Sequence, residues 1–241
     1  MKKVTILAFL VLGAAPCVAL AAPVRLSDSQ MSLIAAGAPV SGGGISVDSA
    51  SQSVNIANVH EVLTGSTTHP LVTSGNLNST VDQTATSTST AACTNCTSAS
   101  GIDINSTSQA INIANVHQVV TGGALHKASG PITLNSTVTQ TATSASTASC
   151  TNCTSASGID VNSTSQAINI ANVHQVVAGV PKASGSVTMN SSITQSANST
   201  SVATCTNCTS GSGIGVTSTS QAVNIANVHQ VGAGSRAGGL H

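Results

Sequence analysis

The chain repeats itself, and the repeat constrains its fold more than any other feature. GISVDSASQSVNIANVHEV begins at Gly44, GIDINSTSQAINIANVHQVV at Gly101, GIDVNSTSQAINIANVHQVV at Gly158 and GIGVTSTSQAVNIANVHQV at Gly213. The motif histidines His60, His117, His174 and His229 are separated by 57, 57 and 55 residues. A second motif lies between the copies: LNSTVDQTAT from Leu77, LNSTVTQTAT from Leu134 and MNSSITQSAN from Met189. A third follows it: CTNCTSAS from Cys93 and from Cys150, and CTNCTSGS from Cys205. Self-similarity at a fixed period of this length marks a stacked architecture in which each unit buries its surface against its neighbours. The chain divides into repeats over 45–100, 101–157 and 158–212, a half repeat over 213–231, and a Gly-rich tail over 232–241.

Within the repeat the pattern predicts strands. Ile111, Ile113, Asn115, His117 and Val119 share one strand face, and Asn112, Ala114, Val116 and Gln118 share the other. Both faces mix small apolar groups with amides. Such a strand gains little on an ordinary one-sided core. It gains more when copies stack, because amides then form hydrogen-bonded ladders and Val and Ile make dry contacts. Pro70, Pro131 and Pro181 all fall in the linkers, where a missing donor does no harm. Dense Ser, Thr and β-branched residues disfavour helix. The expected fold class is all-β: repetitive stacked β-layers, amyloid-like or a β-solenoid, with about 3.5 repeats of 55–57 residues at a spacing of about 4.8 Å. Asn55, His60, Asn112, His117, Gln118, Asn169, His174, Gln175, Asn224, His229 and Gln230 are then the ladder residues through which layers assemble.

Composition narrows the function. Charged residues are 5% of the chain, with 6 basic and 6 acidic side chains, one Phe and no Trp or Tyr. No Lys/Arg patch can neutralise phosphates and no aromatic row can stack bases, so nucleic acid is excluded as a partner. No nucleophile–base–acid set or nucleophile elbow stands out, and the few acids, such as Asp103 and Asp160, recur in repeated positions. The sequence therefore reads as a non-enzyme that needs no cofactor.

Residues 1–21 read as a signal peptide: Lys2 and Lys3 at the start, an apolar run from Val4 to Leu12, and the small-x-small site Ala19-Leu20-Ala21. Residues 22–44 form a leader, in which Ser27 or Asp28 is placed to cap a short helix ending at Gly37. The expected localisation is secreted, extracellular or at the cell surface after passage through the periplasm.

The pairs Cys93/Cys96, Cys150/Cys153 and Cys205/Cys208 are the strongest chemical signature. Haem attachment needs a following His, and Thr97, Thr154 and Thr209 stand there. Two readings remain. In an oxidising compartment the pairs are disulfides or redox-sensitive turns. Alternatively each pair joins the motif His that follows its second Cys by 21 residues (His117, His174, His229), giving a Cys/His metal set.

The segment SASGIDVNSTSQAINIANVHQVV after each CTNC, with LNSTVTQTAT before it, is similar to the repeats of Fap-type bacterial functional amyloids. Asn112-x-Ala114-x-x-x-Gln118 also resembles half of the curli repeat. The similarity covers about residues 45–231. The chain departs from both systems in carrying Cys-x-x-Cys three times and in its short spacers. The resemblance implies a fibre subunit of a biofilm matrix, with itself as polymer partner, a nucleator subunit and an outer-membrane exporter. The expectation is thus a secreted, self-assembling, amyloid-like fibre subunit. The rivals are a monomeric β-solenoid adhesin or ice-binding module and a secreted Cys/His metal-binding protein.

Overall fold

The computed structural model describes residues 43–65, 75–122, 131–180 and 186–234. The signal peptide, most of the leader, Pro70, Pro181 and the end of the tail lie outside them. Each repeat supplies two long strands and one two-residue strand: β1 (Ile45–Gly65), β2 (Gly75–Thr94), β3 (Thr97–Ser98), β4 (Ile102–Gly122), β5 (Ile132–Thr151), β6 (Thr154–Ser155), β7 (Gly158–Val180), β8 (Val187–Thr206), β9 (Thr209–Ser210) and β10 (Gly213–Gly234). β10 carries on three residues past Val231.

Like strands from successive repeats pair in parallel. The sheets run β1-β4-β7-β10, β2-β5-β8 and β3-β6-β9. Pairing follows the repeat residue for residue: His60 sits on His117, His117 on His174, and Val81 on Val138. The expected all-β stack is therefore present, folded within one chain as a solenoid of three and a half coils. The shorter last step of 55 residues comes from the linker before β8, because Thr121 pairs with Ala178 and Ile132 with Val187.

The two long sheets face each other, and the strict alternation of burial along β5 shows which side chains meet. Four apolar clusters are separated by polar rungs. At the CTNC end lie Ile102, Ile104, Ala148, Cys150 and Cys153. In the middle lie Val116 and Val138, beside an alanine row including Ala110 and Ala142. At the linker end lie Val120, Ile132 and Leu134. The polar rungs between them are serines, asparagines and glutamines, many fully buried. Paired residues Ser108–Ser144 and Ser106–Ser146 show that the two sheets run in opposite directions. Ser87 bonds both Ser51 and Ser108, and Ser144 bonds both Ser108 and Ser165. Each strand of the three-stranded sheet thus sits half a step between two strands of the four-stranded sheet.

The turn from one sheet to the other depends on Asn95, Asn152 and Asn207, which take φ of 56°, 54° and 52°. This left-handed conformation suits Asn better than any other residue with a side chain beyond Cβ, and suits Gly best of all. Asn152 also donates through its amide to Asn95 Oδ1, and Asn207 to Asn152 Oδ1. Replacing Asn152 by Val should cost about 1–3 kcal/mol, whereas Asn152→Gly should cost much less; denaturant unfolding of the two variants checks this, and equal losses would remove the backbone argument.

Candidate functional site

The chemistry of this molecule lies in columns of identical side chains along the stack. Asn55 donates to Asn112 Oδ1, Asn112 to Asn169 and Asn169 to Asn224, at 2.9–3.0 Å. Each of the first three also donates across the sandwich: Asn55 to the Thr84 carbonyl, Asn112 to Thr141 and Asn169 to Ser196. Gln118 donates to Glu61, Gln175 to Gln118 and Gln230 to Gln175. A buried amide without a partner costs several kcal/mol, so these residues are tolerable inside only because their copies lie one layer away. Among the described buried side chains, Ser136 Oγ alone is without a hydrogen bond.

The ladder residues expected from the sequence are all in columns, and the structure adds others. Gln83, Gln140 and Gln195 form a third inner amide column, the second of glutamines, which also reaches across to the Ile113, Ile170 and Ile225 carbonyls. Gln52, Gln109, Gln166 and Gln221 form an outer one, as do Asn58, Asn115, Asn172 and Asn227. Serine hydroxyls zigzag between the sheets along Ser51, Ser87, Ser108, Ser144, Ser165 and Ser199. The signal for the second glutamine column was present in the repeated LNSTVTQTAT motif. The serine zigzag needed knowledge of which strand faces which.

His60, His117, His174 and His229 stack on the outer face with ring centroids 4.8 Å apart at each step. Burial, then the neighbouring His174 and His60, hold His117 below the ordinary histidine range.

The six described cysteines form three disulfides, Cys93–Cys96, Cys150–Cys153 and Cys205–Cys208. They are more than turn pins. Cys93, Cys150 and Cys205 end the inward rows of β2, β5 and β8, and Cys150 and Cys153 are wholly buried in the apolar cluster at that end. Cys93, Cys96 and Cys153 bring their sulfurs within 4.8 Å of one another, as do Cys150, Cys153 and Cys208. Among the described residues, cysteines and histidines are not brought together. His117 lies on the outer face fifteen residues beyond the start of β4, about 50 Å along the strand. Sulfurs held in disulfides also offer no thiolate to a metal.

Comparison of the chain with protein families, curated proteins and solved structures finds no match. The functional reading therefore rests on the columns themselves.

A histidine lowered in the folded state disfavours acid. The unfolded chain takes up its proton near pH 6.5, while folded His117 resists it. The stability contribution is therefore complete above about pH 6.5 and is lost as pH falls below that value toward the folded pKa. Denaturant unfolding should show stability falling between pH 7 and pH 5, with a smaller fall in His117→Gln; equal slopes in the two chains would refute the coupling.

Proposed function

We propose that the chain is a secreted structural subunit that polymerises end to end into extracellular amyloid-like fibres of a biofilm matrix or cell surface. One observation carries the reading: among the described residues, nothing covers either end of the stack. β1 and β10 are edge strands of one sheet, and β2 and β8 are edge strands of the other. β10 is a near copy of β7, so its free edge offers an incoming strand nearly the same backbone groups and side chains with which β7 pairs β10. Open edges of this kind are templates for further pairing. Inward Asn and Gln reward a partner strand that carries amides on its own inward row, which makes the growth selective for strands of this repeat.

The signal-peptide pattern and the paired cysteines support secretion into an oxidising compartment. A nucleator subunit and an outer-membrane exporter are the partners that the resemblance to Fap-type and curli repeats implies. The work of such a protein is mechanical, and assembly is its reaction.

A second reading is favoured by one surface. The outer face of the three-stranded sheet carries threonines in register, Thr80 on Thr137, Thr84 on Thr141, Thr86 on Thr143 and Thr90 on Thr147. A flat hydroxyl array of this kind suits a monomeric adhesin or ice-binding module.

Polymerisation separates the two. The purified mature chain at micromolar concentration should form thioflavin-positive fibres with reflections near 4.8 Å and 10 Å. A chain that stays monomeric at every concentration tested would overturn the fibre reading and leave the threonine face as the working surface.

A further inference from the structure

The described stack contains four long strands on one side and three on the other. Because the two sheets interleave at half steps, these described strands span seven half-steps, β1 first and β10 last. The next free position beyond β10 lies on the side of the three-stranded sheet, above β8 and facing the inward row of β10.

That position is prepared for a strand. Ile214, Val216 and Val228 on β10 are 44%, 46% and 49% exposed, whereas their equivalents Ile159, Val161 and Val173 are at most 1% exposed. Asn55, Asn112 and Asn169 each donate to a carbonyl of the strand facing them. Asn224, the fourth in the column, has no following strand among the described residues to supply that carbonyl.

A second copy stacked in phase, with its β1 on β10, does not fill the position. It leaves one half-step empty at every junction. It also sets two acceptors against each other. Glu61 accepts and cannot donate when ionised, so Gln118 must point its Nε2 at Glu61 Oε2, 2.7 Å away. Gln175 then donates to Gln118 and Gln230 to Gln175. The column is thereby polarised, and Gln230 turns its Oε1 outward. An in-phase Glu61 carboxylate would face that oxygen.

Resting on the fibre reading above, we infer that successive copies join with a half turn about the stack axis, so that β1 of the incoming copy lies on β8 and its β2 lies on β10. A half turn carries a strand to the opposite side of the stack and reverses its direction. The two sheets run in opposite directions, so the docked strands remain parallel to those they join. β1 of the incoming copy then takes the free position: its carbonyls meet Asn224, and its inward row covers Ile214, Val216 and Val228. With strand midpoints superposed, incoming Glu61 falls between Val202 and Ala203 of β8 rather than on Gln230. Both sheets continue without a gap, and the odd strand count becomes the rule that alternates the copies.

Helical reconstruction of fibres of the mature chain by electron cryomicroscopy tests this. The expected operator relates neighbouring copies by half a turn, apart from accumulated sheet twist, with a rise of about 17 Å per copy, three and a half layers. A rise of about 19 Å with no half turn, or closed dimers, would overturn the inference while leaving self-association standing. Absence of any assembly would overturn the fibre reading and this inference together. A chain ending at Ser212 and carrying Glu61→Gln lacks β10, has a whole number of coils and can donate across the junction; its fibres should show a rise of about 14 Å and no half turn, and a persisting half turn would also refute the rule.

Discussion

The hydrogen bond between a side-chain amide and its own copy one layer away is the interaction on which the rest depends. A two-sheet sandwich with Asn112, Gln118, Gln140, Asn169 and Gln175 in its interior would ordinarily be penalised for every one of them. Here each donates to the equivalent residue of a neighbouring coil or to a carbonyl of the facing strand. The bond exists only in register, and a slip by one residue would turn every inward side chain outward. The repeat is therefore under tight constraint inside the strands and loose in the linkers, where the two-residue shortening before β8 is absorbed.

The same constraint explains what the sequence made legible. The split of residues 111–119 into two faces follows from period-two alternation, but which face is buried, that of Asn112, Ala114, Val116 and Gln118, was not legible because both mix apolar groups with amides. The stacking of His60, His117, His174 and His229 follows from their even spacing. The facing of one motif by the other was not legible, because the turn at CTNC resets the alternation. For that reason Cys150 and Cys153 were expected in a turn, whereas they close one end of the core. The Cys/His grouping failed to assemble for the same cause: the turn placed the cysteines inside and the histidines outside.

Glu61 illustrates how one departure from the repeat gives the stack a direction. Its copies are Gln118, Gln175 and Gln230, which form an amide column that would run either way if amide alone set it. The carboxylate at one end removes that choice, since it accepts only. Asp48 does the same for Asn105 and Asn162 on the outer face. The first coil, which also carries Asp82, thus differs from its copies in charge while keeping their shape. The two ends of the stack are chemically distinct although both present repeat surface.

The central claim is that equivalent residues of successive repeats lie directly on one another within the chain. Paired cysteines test it, because a disulfide forms only when Cα atoms lie within about 7 Å. In a background with the native cysteines replaced by Ala, Thr84→Cys with Thr141→Cys joins two outward positions paired on neighbouring strands, about 4.8 Å apart. Thr84→Cys with Thr143→Cys is offset by two residues, about 8 Å. Mild oxidation of the monomer followed by peptide mapping should find the first pair bridged and the second not. Equal bridging, or bridging of the offset pair alone, would contradict the in-register stack.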